Sequence, residues 1–269
     1  MKLEWNDRRI LGAIRCTDAV TRLSIGHDLK LSASGVRLVR NRRGYYVITT
    51  APGFDTYRHS FLPPTPPPAP TSIQFTVTDP LGCYLPRQVA IQLPRDPDPA
   101  NAEMADSLFQ PIDLRLYPSP IAPIEPGWAV IRATVTNSSN QRLPWALIRV
   151  TLPEEPTPYL SQADWRGEAL VAVPGIPVTN WVSDASAEPD ADSPVSTIEL
   201  DASLEVLVDP MVQPIPATAD LGTIADPNPN YFPNPEVLNA SPTTQRSAPI
   251  SLILAAGRDR PATLAVSLS

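Results

Sequence analysis

Along this chain, apolar and polar residues alternate in short bursts, and turn-forming residues separate one burst from the next. The cleanest is SIQFTVTD, in which Ile73, Phe75 and Val77 alternate with Gln74, Thr76 and Thr78. A period of two sends one set inward and the other to solvent, which is the pattern of a half-buried strand. DPLG at 79–82 reads as a turn, and QVAIQLP repeats the alternation through Val89, Ile91 and Leu93, so the two runs predict neighbouring strands. Upstream, ILGAIRCTDA, LKLSASGVRLVR, GYYVITTAPGF and DTYRHSF read as strand regions. Downstream the pattern resumes in IDLRLYP, GWAVIRATVT, WALIRVTLP, GEALVAVPG, STIELDASLEVLVDP, PISLILAAG and ATLAVSLS. One helix is predicted, over residues 100–109, ending before Pro111.

Composition turns this pattern into a fold class. The chain holds 35 prolines in 269 residues, against a usual share of about 5%. Proline lacks a backbone donor and breaks helix interiors, but it is tolerated at strand edges and in turns. The expectation is therefore an all-β protein with at most one or two short helices, made of two proline-rich sandwich modules. LPPTPPPAP, which follows Phe61, reads as an extended polyproline connector. The expected organisation is a small basic β module over 1–62, a linker over 63–72, and a larger acidic sandwich over 73–269. Long loops are expected at 182–194 and 210–248. A unit of about 60 residues without disulfides is marginal alone, so the first module is expected to lean on its surroundings. Nothing in the sequence assigns the strand pair 73–93 to one module or the other.

The charge balance adds a polarity. The net charge is −7, yet residues 1–60 hold 11 Lys/Arg against 5 Asp/Glu. Such a chain can stack head to tail or offer its basic end to an acidic neighbour. Arg40, Arg42 and Arg43 in RLVRNRRG, and Tyr231 and Phe232 in NPNYFPNPEVL, are the candidate contacts to a protein partner. An acidic whole with no lysine after Lys30 argues against nucleic acid. No apolar run reaches the roughly 18–20 residues of a membrane helix. MKLEWNDRRILGAIRC is charged and lacks a signal-peptide core, so a cytoplasmic location is expected.

The chemistry-bearing residues are few. The cysteines Cys16 and Cys83 and the histidines His27 and His59 do not supply a zinc cluster, and the cysteines read as small buried hydrophobes rather than a bridge. There is no G-x-S-x-G elbow and no glycine-rich phosphate loop. His59 and Ser60, as neighbours on a strand, face opposite ways. Glu199, Asp201 and Glu205 alternate with apolar residues as on a solvated sheet face. The acidic loop Asp184, Glu188, Asp190, Asp192 lacks the spacing of a calcium loop. No catalytic, cofactor or metal residues are expected, and no small-molecule ligand. The tryptophans Trp5, Trp128, Trp145, Trp165 and Trp181 leave a second class of function in view, a carbohydrate- or surface-binding sandwich, because aromatic faces can carry sugars.

One pattern occurs twice. In NRRGYYVITTAPGF, Arg43-Gly44 precedes Pro52-Gly53; in DWRGEALVAVPGIPV, Arg166-Gly167 precedes Pro174-Gly175. A repeat of turn residues around an apolar run marks one structural unit used twice. The order of ALIRVTL, of ADWRGEALVAV with Asp164 and Gly167, and of Pro174-Gly175 resembles transthyretin-like or carboxypeptidase-regulatory-like β-sandwich modules. That resemblance implies an immunoglobulin- or transthyretin-like architecture in which Gly44, Pro52, Gly53, Asp164, Gly167, Pro174 and Gly175 are structural turn positions. TDPLGCYLPRQVAIQLPRD, LFQPIDLRLYPSP and GWAVIRATVTN together resemble accessory proteins of phage-tail-like contractile injection systems. That resemblance implies a non-enzymatic structural subunit of a cap, baseplate or attachment, whose partners are the other protein subunits of the particle.

Overall fold

A computed structural model describes residues 10–55, 69–153, 155–176, 199–222, 226 and 231–267, and it is an all-β fold. The chain divides into two compact units, Met1–Asp18 with Arg22–Leu116, and Ala19–Thr21 with Tyr117–Ser269.

The first unit contains β1 (Gly12–Asp18), β2 (Lys30–Ser32), β3 (Arg37–Arg40), β4 (Tyr46–Thr50), β5 (Thr71–Thr78), β6 (Arg87–Leu93) and β7 (Ile112–Leu116). They form two sheets, in the orders β3-β4-β1-β7 and β2-β5-β6. The central strand β1 runs antiparallel to β4 and parallel to β7, with Ile14 opposite Tyr46 on one side and Ile112 on the other. Alternation buries Ile14, Ile48, Leu114 and Leu116 from the first sheet against Phe75, Val77, Ile91 and Leu93 from the second. Each such side chain contributes roughly 1.5–3 kcal/mol on burial.

This overturns the boundary expected from composition. The pair 71–93 supplies five of the sixteen buried residues of the first unit's core, Ile73, Phe75, Val77, Ile91 and Leu93, and the division falls after Leu116 rather than at 63–72. A 62-residue module that leans on its surroundings is thereby replaced by a full sandwich. The proline run connects two strands of that sandwich, β4 and β5. Residues 56–68, with most of the run, His59 and DTYRHSF from Thr56 on, lie outside the described residues.

The second unit contains β8 (Ala129–Asn137), β9 (Leu147–Thr151), β10 (Tyr159–Gln162), β11 (Glu168–Val173), β12 (Glu199–Val208), the helix α1 (Pro235–Ala240), the two-residue β13 (Gln245–Arg246), β14 (Ile250–Ala255) and β15 (Asp259–Val266). One sheet has the order β10-β9-β12, with β13 and β14 both on the far side of β12; the other is β11-β8-β15. Ile131, Val135, Val171 and Leu264 on one sheet close over Ile148, Val150, Leu204, Val206 and Leu254 on the other.

Setting β13 aside, both units show seven strands among the described residues, with nearly one connectivity. The first strand pairs antiparallel with the fourth and parallel with the seventh (β1 with β4 and β7; β8 with β11 and β15). The fifth pairs antiparallel with the second and sixth (β5 with β2 and β6; β12 with β9 and β14). Only the third strand differs: β3 extends the fourth strand, whereas β10 extends the second. In this scheme the proline run and the acidic stretch 182–194 occupy equivalent places, each between a fourth and a fifth strand. Residues 177–198, including Trp181, lie outside the described residues.

The recurring Arg-Gly pairs are the turn between third and fourth strands. In the first unit the Asn41 carboxamide oxygen accepts the N–H groups of Arg43 and Tyr45, both at 2.9 Å, while Gly44 N–H closes the turn on Asn41 O at 3.0 Å. In the second, Asp164 Oδ1 accepts from Arg166 at 2.8 Å and Glu168 at 3.0 Å, and Gly167 N–H closes on Asp164 O at 3.0 Å. Gly44 and Gly167 stand at φ +83° and +76°, where an L side chain is strained. The Pro-Gly pairs follow the fourth strand in both units. Pro52-Gly53 forms a turn closed by Phe54 N–H on Ala51 O at 3.2 Å, and Gly53 and Gly175 both take positive φ.

Helices depart from expectation. Residues 100–109 do not form one; a single 3-10 turn at Pro99–Asn101 is followed by further turns closed on Asn101, Met104 and Ser107. The segment has no apolar face to bury, since Met104 and Phe109 are both exposed, and a short helix without tertiary packing is not stable. The helix instead occurs at Pro235–Ala240, inside the stretch 210–248. Asn234 caps it by accepting from Glu236 N–H at 3.0 Å, and Pro235 takes the first turn. Its Leu238 packs on Leu147 and Leu207. This part of the long stretch therefore covers its own sheet.

Candidate functional site: an aromatic pocket in the second unit

Three connections of the second unit converge. The β8–β9 connection is tied to the β12–α1 connection by paired bonds, Arg142 N–H to Ile215 O at 2.8 Å and Ile215 N–H to Arg142 O at 2.9 Å. It is tied to the β10–β11 turn by Trp145 N–H donating to Asp164 O at 3.0 Å. Between them lies a cavity of about 390 Å³ lined by Trp145, Trp165, Met211, Gln213, Asp226 and Tyr231, among others. Such a volume and lining are those of a small ligand or side-chain pocket.

Each wall has a local cause. Trp145 is buried and takes φ +57°, a left-handed conformation that costs about 1–3 kcal/mol for a bulky residue and persists only where its surroundings over-determine it. Here the bond to Asp164 O and an edge-on contact with Phe232, with ring centroids 5.5 Å apart, hold it. Trp165 is half-buried at the second position of the Asp164 turn, with the Arg166 guanidinium 6.0 Å over its ring. Tyr231 donates its hydroxyl to Asp209, and burial with this bond raises the phenol above its ordinary range. Met211 stands on the rim, 81% exposed.

Asp164 is the fixed point of this end. It is 5% exposed and forms a two-pronged contact with Arg166, Oδ2 lying 2.9 Å from both Nε and Nη2. Burial raises its carboxyl above the usual carboxylate value, against the bonds that favour the charge.

The partner residues read from sequence are not brought together. Arg40 is exposed, with its guanidinium bonded to Gly26 O at 2.9 Å and paired with Asp28 at 2.8 Å. Arg42 and Arg43 are exposed at the tip of the Asn41 turn. Tyr231 is half-buried and lines the aromatic pocket, and Phe232 is half-buried with its ring edge-on to Trp145. Trp128 packs with Ile124 against the small cluster of Ala122, Val130 and Leu170. Trp5 and the acidic residues 184–192 lie outside the described residues.

One constellation was not legible from sequence. In the first unit the buried Asp79 carboxylate accepts from the N–H groups of Leu81, Cys83 and Tyr84 and stands 3.0 Å from His27 Nε2. Tyr84 stacks on His27 with centroids 6.0 Å apart and donates to Asp18 at 2.8 Å. A triad needs a nucleophile on the base; here the carboxylate is committed to turn N–H groups and the hydroxyl to Asp18, so the group fastens two connections together. His27 and the D-P-L-G turn lie 52 positions apart and meet only through the fold. Cys16 and Cys83 are both free; Cys16 is buried, and burial pushes its thiol up to about 12. Among the described residues no group of three or more His, Cys, Asp or Glu is placed to hold a metal ion, and no helix is long and apolar enough to cross a membrane. Comparison with protein families, with curated proteins and with solved structures finds no match.

Proposed function

We propose that the protein is a non-enzymatic structural subunit that works by assembly with other protein subunits, in a phage-tail-like contractile injection particle built in the cytoplasm. The observation that carries this reading is the use of nearly one sandwich connectivity twice, with the reactive side chains turned to architecture. Asp164, Asp79 and His27 fasten turns and connections rather than converging on an open cleft. The strand order favours the transthyretin-like resemblance over the immunoglobulin one. In an immunoglobulin sandwich the first strand shares a sheet with the second, fifth and fourth; here it lies between the fourth and seventh. The expected partners are protein, not nucleic acid.

The test is genetic complementation in the source organism. Loss of the chain is expected to leave contractile particles missing or defective. His27→Gln and the triple variant E199Q/D201N/E205Q are expected to restore them as well as the wild type does. Normal particles without the chain, or failure of either variant despite normal folding, would contradict the proposal.

A second reading, a carbohydrate- or surface-binding sandwich, has the Trp145–Trp165 pocket in its favour. It requires that tryptophan fluorescence respond to some member of a broad glycan panel; silence across the panel removes it.

A further inference from the structure

We propose that the aromatic pocket of the second unit receives the guanidinium of Arg42 or Arg43 from a second copy of this chain, joining copies head to tail. This rests on the assembly reading and adds to it a site and a partner. The pocket's chemistry selects an organic cation. It is lined by the aromatic residues Trp145, Trp165 and Tyr231, its polar lining includes Gln213 and the carboxylate-bearing Asp226, and the Tyr231 hydroxyl donates to Asp209. Aromatic faces beside a carboxylate attract a guanidinium through the ring quadrupole and the opposite charge. The Trp165 ring already carries one such group, Arg166, at 6.0 Å. A sugar, by contrast, needs a row of hydrogen-bonding side chains around an open aromatic platform.

Charge complementarity names the occupant. Residues 1–116 carry 14 Lys/Arg against 11 Asp/Glu, whereas 117–269 carry 7 against 17. Among the exposed cations of the first unit, Arg42 and Arg43 stand side by side at the tip of a turn whose backbone is fixed by the Asn41 side chain. A cation presented on a preformed turn loses little backbone freedom on docking. Arg40, paired with Asp28, stays behind at the base of that turn. An arginine tip entering a pocket elsewhere on the next copy is a heterologous contact, which extends rather than closing as a dimer, as a layered particle requires.

The test uses purified full-length chain in sedimentation velocity over a range of concentrations at low and high salt. Wild type is expected to form concentration-dependent oligomers that salt weakens. The double variant R42E/R43E removes the tip. Met211→Arg places a cation on the rim of the pocket, at a position exposed enough to spare the fold. Each is expected to weaken self-association at least tenfold. Mixed together, they are expected to form a one-to-one dimer that grows no further, because one brings the open pocket and the other the intact tip. Arginine ethyl ester is expected to quench wild-type tryptophan fluorescence and to dissolve the oligomers. A monomeric wild type, undiminished association of R42E/R43E, a mixture that stays monomeric, or a sugar that competes where the ester does not would each overturn the proposal. A chain that is monomeric when pure but travels with large particles in lysate removes this contact and keeps the assembly reading; a chain found at its own mass in both removes both.

Discussion

Gly44→Ala and Gly167→Ala change the same position of the same turn in two units, and the structure assigns them different costs. Both glycines have φ near +80°, and an alanine there pays about 1–2 kcal/mol of backbone strain. At Gly44 the added methyl meets only the end of the flexible Arg40 side chain, at 3.4 Å. At Gly167 it meets Val135 O at 3.1 Å, Arg142 Cβ at 3.3 Å and Leu143 N at 3.3 Å. Two of these are backbone atoms of the β8–β9 region, which cannot swing aside, so an overpacking penalty of about 1–3 kcal/mol is added. The expectation is about 1–2 kcal/mol for Gly44→Ala and about 2–5 kcal/mol for Gly167→Ala. Urea unfolding read by tryptophan fluorescence follows the second unit, which holds four of the five tryptophans; hydrogen exchange of β4 amides follows the first. Equal penalties, or a larger one at Gly44, would refute the reasoning that the second turn is wedged against β8 while the first stands clear.

Asp164→Ala removes the acceptor of two backbone N–H groups and is expected to cost about 2–4 kcal/mol. Asp164→Asn keeps that acceptor, as Asn41 does in the first unit, and is expected to cost less than about half as much by the same denaturation. Because burial raises the Asp164 carboxyl, the folded chain holds its proton more tightly than the unfolded one. Its contribution to stability is therefore full below about pH 4, the unfolded value, and is lost as the pH rises through the folded value. The stability difference between wild type and Asp164→Asn should shift against the wild type across that window; no slope would contradict the assignment. Leu238→Ala, at the contact of α1 with Leu147 and Leu207, is expected to lower the second unit's stability by about 2–5 kcal/mol. A thiol reagent should modify Cys83 in the native chain and reach Cys16 only after unfolding; two fast thiols would place Cys16 wrongly.

The strands were legible wherever a period of two met a one-sided core. Ile73, Phe75 and Val77 are buried as their alternation requires, and the Arg-Gly and Pro-Gly pairs mark turns because positive φ needs glycine. The unit boundary was not legible. A run such as LPPTPPPAP has the composition of a linker, but the pairing that makes it internal, β1 with β7, joins residues 98 positions apart, as the bidentate Arg15–Asp113 contact illustrates. Local composition carries no record of such a partner. The helix at 235–240 did announce itself, through Asn234 as cap and Pro235 after it, but the surrounding prolines masked the signal. The pocket was the least legible feature, because its walls come from residues 145, 165, 211 and 231 and meet only through the sheet order. The left-handed backbone of Trp145 has no sequence signature at all.

The most direct measurement of the central claim is sedimentation of native lysate from the source organism, with mass spectrometry following this chain. The chain is expected to travel with particles far larger than its own 29.2 kDa, in the fractions that hold sheath and tube proteins. A chain found only near its own mass, with particles intact in other fractions, would contradict it.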